Sequence, residues 1–491
     1  MSADSATDTV PKRLGTTAAR GALVVMSGQL CKIAIQFGSI VILARLLSPD
    51  DYGLMAMIMV VVGLGDVLRE FGLSSAAIQA RDVSPQQRTN LFWINSAVGL
   101  LLAAAIIALS PAIAAFYDQP ALQSIAVAMS LTFIFSGLAT QFRAQLNREM
   151  RFNRLMTAEI AGMAAGLGIG VSMALADQGY LALVGQQIGQ HGVTLVAMVI
   201  AGRWWPGLPR RGAGMAPFLR YGWNVMNTQL IGYAARNVDS LIIGRQFGAE
   251  LLGLYNRAYQ LLMLPLNQIN APSTTIALPV LSRLQNQPER YDAFLLHGQS
   301  TMLHLLVGGL AFGIAQAEPL ILLVLGERWA ATVPLFQALA VGGVFQAAGY
   351  ASYWVFLSKG LTGSHLRFTL ISRPLLILFI VLGAQWGVQG VAIAYSAGLC
   401  ITWLWGLAWL RGSGAPVGGM LRNGLMIAIG YALCATASML GSGWLGESLG
   451  GRLLAGLLAM LGAFLLLCLL WPAFRRSVVA VIETRKLLRA R

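Results

Sequence analysis

Long apolar runs broken by short polar connections fill the chain from residue 21 to residue 472. A bilayer core about 30 Å thick takes roughly 20 apolar residues in helical form. Reading for such runs predicts fourteen spans, at 21–46, 53–79, 91–116, 121–146, 155–176, 181–201, 219–246, 252–281, 298–325, 333–358, 366–384, 388–410, 420–441 and 452–472. Gly and Ser recur inside many of them, as helices that approach closely within lipid require.

The connections alternate in character. One set is basic: Arg81 and Arg88; Arg143, Arg148, Arg151 and Arg154; Arg203, Arg210, Arg211 and Arg220; Arg283 and Arg290; Lys359, Arg367 and Arg373; Arg411 and Arg422. The N-terminus (Lys12, Arg13, Arg20) and the tail from Arg475 to Arg491 belong to the same side. The opposite set, including 111–120, 177–180 and 385–389, is nearly free of Lys and Arg. Twenty-six basic residues fall on one side, four (Arg45, Arg245, Arg328 and Arg452) on the other, and four within spans. The excess of Lys and Arg on cytoplasmic loops then predicts that both termini are cytoplasmic, and an even number of spans agrees with it.

Composition sharpens this picture. Of 491 residues 57% are hydrophobic and 11% charged, against roughly a quarter charged in soluble domains. Mean hydropathy is +0.68. So little polar material cannot cover several soluble domains, so lipid must cover much of the surface. The net charge of +15 is accounted for by the loop asymmetry, which removes the case for a nucleic-acid partner. Cys31, Cys400, Cys434 and Cys468 lie in apolar stretches and read as small hydrophobes. Residues 1–20 lack the short apolar core and cleavage site of a signal peptide and are expected to be retained. The chain has no GxxxxGK[ST], HExxH or GxSxG motif, and its four histidines show no metal-ligand spacing. No enzymatic activity, metal or cofactor is expected. Trp204, Trp205, Trp403, Trp405, Trp409 and Trp471 fall near span ends, as an interfacial aromatic belt would.

An internal repeat is visible. A shift of 200 residues sets Gln29, Leu30, Ile42, Arg45, Asp50, Gly53 and Leu54 on Gln229, Leu230, Ile242, Arg245, Glu250, Gly253 and Leu254. A shift of 211 sets Leu146-Asn147-Arg148 on Leu357-Ser358-Lys359 and Gly179 on Gly390. Six spans return the chain to the same face, so the repeats are parallel, a common transporter plan. The fold expected is an all-α polytopic membrane protein of about fourteen transmembrane helices, with two parallel six-helix repeats around a central cavity plus two C-terminal helices. Its divisions are 1–212, 213–412, and 413–491 with a basic cytoplasmic tail.

Ionisable groups within the spans cost at least roughly 2.5–3.5 kcal/mol each on insertion scales, so they face a partner or a wet cavity. The candidates are Lys32; Asp66, Arg69 and Glu70; Glu159; Arg236 and Asp239; and Arg257. Most fall in the first two spans of each repeat. Asp66 with Arg69, and Arg236 with Asp239, are three residues apart and also read as local helical ion pairs. Lys32 has no opposite charge within one turn. Arg45 with Asp50, and Arg245 with Glu250, occupy equivalent outer turns and read as structural.

Several strings carry a family resemblance. Leu46-Leu47-Ser48-Pro49-Asp50-Asp51-Tyr52-Gly53-Leu54, Phe71-Gly72-Leu73-Ser74-Ser75-Ala76-Ala77-Ile78-Gln79 and Phe92-Trp93-Ile94-Asn95 lie in the first half. Gly253-Leu254-Tyr255-Asn256-Arg257-Ala258-Tyr259 and Leu278-Pro279-Val280-Leu281-Ser282-Arg283-Leu284 lie in the second. Over about residues 14–411 the chain resembles the polysaccharide-transporter family of the multidrug/oligosaccharidyl-lipid/polysaccharide (MOP) flippase superfamily, nearest its lipopolysaccharide and exopolysaccharide branch. The resemblance implies a flippase that moves an undecaprenyl-pyrophosphate-linked oligosaccharide from the inner to the outer leaflet of a bacterial cytoplasmic membrane by alternating access. It implies Lys32, Arg236, Arg257 and Arg69 on the pyrophosphate side of a cavity, Arg257 from a matching motif and the others from position. Asp66, Glu70, Asp239 and Glu159 would balance them or carry a coupling ion, a proton or sodium. The partners implied are the lipid-linked oligosaccharide, membrane lipids, and a polysaccharide polymerase with its export machinery. A multidrug/cation antiporter of the same superfamily, a peptidoglycan-precursor flippase, and a membrane-embedded glycan-modifying enzyme or non-transporting scaffold are the alternatives.

Overall fold

The computed structural model describes residues 12–70, 84–210 and 216–489; side chains at 12–23, at 70, at most of 216–235 and at 482–489 fall outside it. Its helices, in chain order, are α1 Lys12–Leu46, α2 Pro49–Glu70, α3 Pro85–Tyr117, α4 Ala121–Arg148, α5 Phe152–Leu175, α6 Leu181–Gly202 and α7 Ala216–Leu284. They continue with α8 Pro288–Ala315, α9 Ala317–Val324, α10 Thr332–Ser358, α11 Thr362–Gly383, α12 Gly387–Trp409, α13 Val417–Gly441, α14 Leu449–Leu470 and α15 Pro472–Arg489.

Among the described residues, ten helical stretches are long and apolar enough to cross a membrane, one of which, Thr362–Trp409, unites α11 and α12. With α6 and the two arms of α7, they match the predicted spans in number and order. α7 is two helices in one run. Gly248, at φ 85° and ψ −176°, breaks it into arms 216–247 and 249–284. Only glycine adopts that backbone conformation freely. The equivalent joint one repeat earlier has a different solution. There Ser48 caps α2: its hydroxyl accepts from the Asp51 N–H at 3.2 Å, and the Asp51 carboxylate takes the Ser48 N–H at 2.9 Å and hydroxyl at 2.6 Å. Pro49 sits where a missing N–H costs nothing.

Two predicted boundaries move. The ninth span, expected over 298–325, is α8 from Pro288 to Ala315, followed by the short α9. Pro288 opens the helix, and its polar first turns, Glu289 to Asp292, remain helical outside any apolar window. The second span, expected over 53–79, begins at the Ser48 cap, and residues 71–79 lie outside the described residues. The repeat also slips near its end. Gly387 (φ 78°) makes the turn before α12 as Gly179 (φ 51°) does before α6, whereas Gly390 abuts the Gly383 backbone.

The chain divides into two compact units, 1–237 and 238–491. In the first, α5 packs on α6 along a ridge of small residues four apart, Ala158, Gly162, Gly166, Gly170 and Ala174, all buried. A Cβ added at Gly162 or Gly166 would lie 2.8 Å or 2.7 Å from the carbonyl oxygen of Gln190 or Gln186. Small residues thus set the spacing of this hairpin. In the second, the arm 249–284 carries Pro265, Pro272 and Pro279 at seven-residue intervals, which places three missing ladder bonds on one face. The basic tail is not a loose extension over its described part. It forms α15, anchored by the fully buried Phe474 and by Ser477, whose hydroxyl lies 2.9 Å from His304 Nε2.

Candidate intramembrane charge sites

Lys32 on α1 finds its partner 127 residues away. Its Nζ donates to Glu159 Oε2 on α5 at 2.8 Å. The other oxygen of the same carboxylate faces Arg143 Nη2 on α4 at 3.4 Å. Each oxygen of Glu159 therefore serves a different cation, and the three charges sum to one positive. Glu159 is 14% exposed and Lys32 25%, while Arg143 keeps 53% of its side chain accessible. Arg143 was expected in a basic connection; α4 continues past its apolar window to Arg148, so the side chain sits on the helix and turns toward α5. That shared carboxylate was invisible to spacing within any one helix.

A second cluster follows the local rule. Arg69 Nε lies 3.1 Å from Asp66 Oδ1 one turn earlier, and Arg69 Nη1 donates to Thr140 Oγ1 on α4 at 2.9 Å. The side chain of Glu70 lies outside the described residues. Nearby, the Tyr233 hydroxyl donates to the backbone carbonyls of Val60 at 3.0 Å and Met59 at 3.1 Å. Gly63 makes the room, since a Cβ there would meet the Tyr233 ring. Arg236, one turn further along, is exposed.

The second unit treats its carboxylate differently. Asp239 is 5% exposed. Its Oδ1 accepts the Ser240 N–H at 2.8 Å and its Oδ2 the Tyr255 hydroxyl at 2.9 Å, both neutral donors. The Tyr255 ring stacks on Tyr259 at 6.3 Å, and Tyr259 meets Tyr395 of α12 edge-on at 6.0 Å. Arg257 is half-buried and donates from Nη1 to Gln260 Oε1 at 2.6 Å. The structure thus brings Lys32 to Glu159 and Asp66 to Arg69, and encloses Asp239 among donors of its own unit.

The family-like strings mark joints more than charges. Ser48 to Asp51 build the α2 cap. Phe92 packs edge-on against Phe142 and Trp204 at 6.0 Å each. Phe71 to Gln79 lie outside the described residues. Tyr255, the exception, holds Asp239, a partner that its place in the string did not reveal. A net-positive cluster such as Lys32, Glu159 and Arg143 suits an anion with several oxygens, since guanidinium and ammonium donors form short charge-assisted hydrogen bonds.

Comparisons with known proteins agree with this architecture. Residues 42–334 match the family model described as Polysaccharide biosynthesis protein. The lipopolysaccharide biosynthesis protein WzxC of Escherichia coli (strain K12) is 27% identical over 357 residues, covering 72% of this chain and 73% of that protein. The teichuronic acid biosynthesis protein TuaB of Bacillus subtilis (strain 168) is 28% identical over 299 residues, covering 60% and 61%. Among solved structures, the lipid II flippase MurJ in an inward closed conformation superposes with a TM-score of 0.70 at 14% identity, over 91% of this chain and 98% of that one. An inward-facing multidrug resistance MATE family transporter of the MOP superfamily reaches 0.57 at 18% identity, over 79% and 95%. These likenesses establish the fold, which is that of the MurJ and MATE structures, and the match over more than half the chain establishes the family: this is a multi-pass membrane protein that belongs to the polysaccharide biosynthesis protein family.

Proposed function

We propose that this protein is a flippase that carries an undecaprenyl-pyrophosphate-linked oligosaccharide from the inner to the outer leaflet of a bacterial cytoplasmic membrane, feeding lipopolysaccharide or exopolysaccharide synthesis. The observation that carries this reading is the Lys32–Glu159–Arg143 cluster in a member of the polysaccharide biosynthesis protein family. A pyrophosphate crossing a bilayer loses its hydration, and fixed cations lower that cost. Glu159 holds the two cations in place without neutralising both, and Arg143 keeps an accessible guanidinium for phosphate oxygens. Arg69, Arg236 and Arg257 extend the cationic set in this reading. The glycan and pyrophosphate pass through the protein by alternating access of the two repeats while the polyprenyl tail stays in lipid. The basic connections and both termini face the cytoplasm, and the chain transports without catalysing a covalent step.

Asp239 is where a coupling proton or sodium ion would be held in this scheme, since its hydrogen-bond partners among the described residues, the Ser240 N–H and the Tyr255 hydroxyl, are both neutral. The same feature favours the cation antiporter as a second reading. A deletion strain separates the two, scored for surface polysaccharide and for lipid-linked glycan. Loss of surface polymer with the lipid-linked unit retained inside, restored by wild type but not by Lys32→Ala, Arg143→Ala or Arg257→Ala, is the expected result. Unchanged glycans with lowered tolerance to cationic drugs would replace the flippase by the antiporter.

A further inference from the structure

A cavity of 460 Å³ opens between α5 and α6 at the end of the hairpin that carries basic connections. That volume lies in the range of small-molecule sites, about 300–1,000 Å³. Its apolar lining is Ala158, Ala161, Ala197, Ile200 and Ala201, of which Ala158 is buried and Ile200 70% exposed, and its polar lining includes Arg154, Arg203 and Thr157. The hairpin geometry explains the pairing. Arg154 lies in the first turn of α5 and Arg203 is the C-cap of α6 in left-handed conformation (φ 48°), so antiparallel helices bring both cations to one end. The two helix dipoles oppose each other there, which leaves the guanidiniums as the net charge.

The polar lining is held in place before anything binds. Arg154 Nη1 donates to the Ala201 carbonyl at 3.0 Å, using one of its five N–H groups. The segment after Arg203 is strapped to α3: Trp93 Nε1 donates to the Gly207 carbonyl at 2.8 Å, and Asn90 Nδ2 to the Arg210 carbonyl at 2.7 Å. On the same segment Trp205 and Leu208 are 80% and 79% exposed, the placement of side chains resting in a lipid headgroup layer.

The geometry points to a bound anionic phospholipid: the phosphate of its headgroup lies between Arg154 and Arg203, and one acyl chain runs down the groove over Ala161 and Ala197. Apolar and cationic linings together fit an amphiphile with a phosphate end, and neither half alone would. The site lies within the first unit and does not depend on the flippase reading.

The test uses the full-length protein in mild detergent with a fluorescent phosphatidylglycerol, and phosphatidylcholine and inorganic phosphate as competitors. A cation beside an anionic headgroup is worth about fivefold in affinity. Arg203→Gln, an exposed position, is expected to weaken phosphatidylglycerol roughly fivefold. Ala161→Phe obstructs the apolar lining without changing charge and is expected to weaken it at least as much. Phosphatidylcholine should compete poorly and millimolar phosphate hardly at all. Wild-type affinity in both variants, or equal competition by phosphatidylcholine, would overturn the site. Displacement by inorganic phosphate as effective as by lipid would make it a phosphate site instead and overturn the lipid assignment.

Discussion

Each of the two units carries a largely enclosed carboxylate on a long helix, and they stabilise it by opposite means. Glu159 in the first is shared between two cations, Lys32 at 2.8 Å and Arg143 at 3.4 Å. Asp239 in the second is held by a backbone N–H and a phenol. The repeat shows how far apart these solutions are. Shifts of 200 and 211 set Gly232 opposite Lys32, Trp354 opposite Arg143, and Leu370 opposite Glu159. Trp354 is buried and donates to Thr274 at 2.9 Å, so a neutral hydrogen bond occupies the place of a cation. Conversely Ser39 stands opposite Asp239, and its hydroxyl accepts from Gln186 Nε2 at 2.8 Å. The duplicated frame keeps the helices and the joint at Ser48 and Gly248, while the charges belong to one copy or the other.

The largest test of this contrast removes both cations from Glu159. Breaking a fully buried pair by deleting one side costs about 3–5 kcal/mol, and the partial exposure of Lys32 and Arg143 screens part of that cost here. Lys32→Met with Arg143→Met is still expected to lower the unfolding temperature in detergent more than any other change considered, because both cations leave Glu159 at once. Adding Glu159→Leu should recover most of that stability, since apolar replacement of a whole buried ion cluster is close to neutral. If the chain is the flippase proposed above, it should not recover transport. A triple variant that transports like wild type would reduce the cluster to packing.

Tyr255→Phe addresses the other unit. It takes one of the two donors from Asp239, and leaving a buried acceptor without its partner costs about 1–3 kcal/mol. The expected loss is smaller than for the double cation variant, and unlike it should be insensitive to ionic strength. Tyr259→Phe, which likewise keeps its ring in the stack and removes a hydroxyl from the same tyrosine cluster, is the comparison. An effect of Tyr259→Phe equal to that of Tyr255→Phe would mean that loss of any hydroxyl from this cluster, not of the bond to Asp239 in particular, sets the cost.

How much of this was legible follows from the range of each interaction. Spans read well, because twenty apolar residues are a local signal, and so did Asp66 with Arg69, whose pairing is set by helical periodicity alone. Lys32 was legible only as a charge without a partner within one turn. Its partner comes from α5 and its competitor for that partner from α4, and no periodicity links positions 32, 143 and 159. Arg236 with Asp239 had the spacing of a local pair, yet both oxygens of Asp239 are taken by Ser240 and by Tyr255, sixteen residues on across the Gly248 joint. Spacing states which pairs are geometrically allowed; tertiary packing decides which donor reaches the carboxylate first.

The Asp66–Arg69 pair offers the finest comparison, because it lies in the same unit as Glu159 yet is satisfied within its own helix. Asp66 is 42% exposed, so its attraction to Arg69 is screened and worth little on its own. What fixes the guanidinium is Thr140, which accepts from Nη1 at 2.9 Å and itself donates to the Ser136 carbonyl at 2.7 Å. Thr140→Val keeps the shape and removes that acceptor. A single hydrogen bond contributes about 0.5–1.5 kcal/mol net, so a small drop in unfolding temperature is expected. Transport should fall more than stability does, because Arg69 would lose its fixed orientation while keeping its charge. Equal transport in Thr140→Val and wild type would assign Arg69 to the local pair alone, and leave the Glu159 cluster as the first unit's cationic centre.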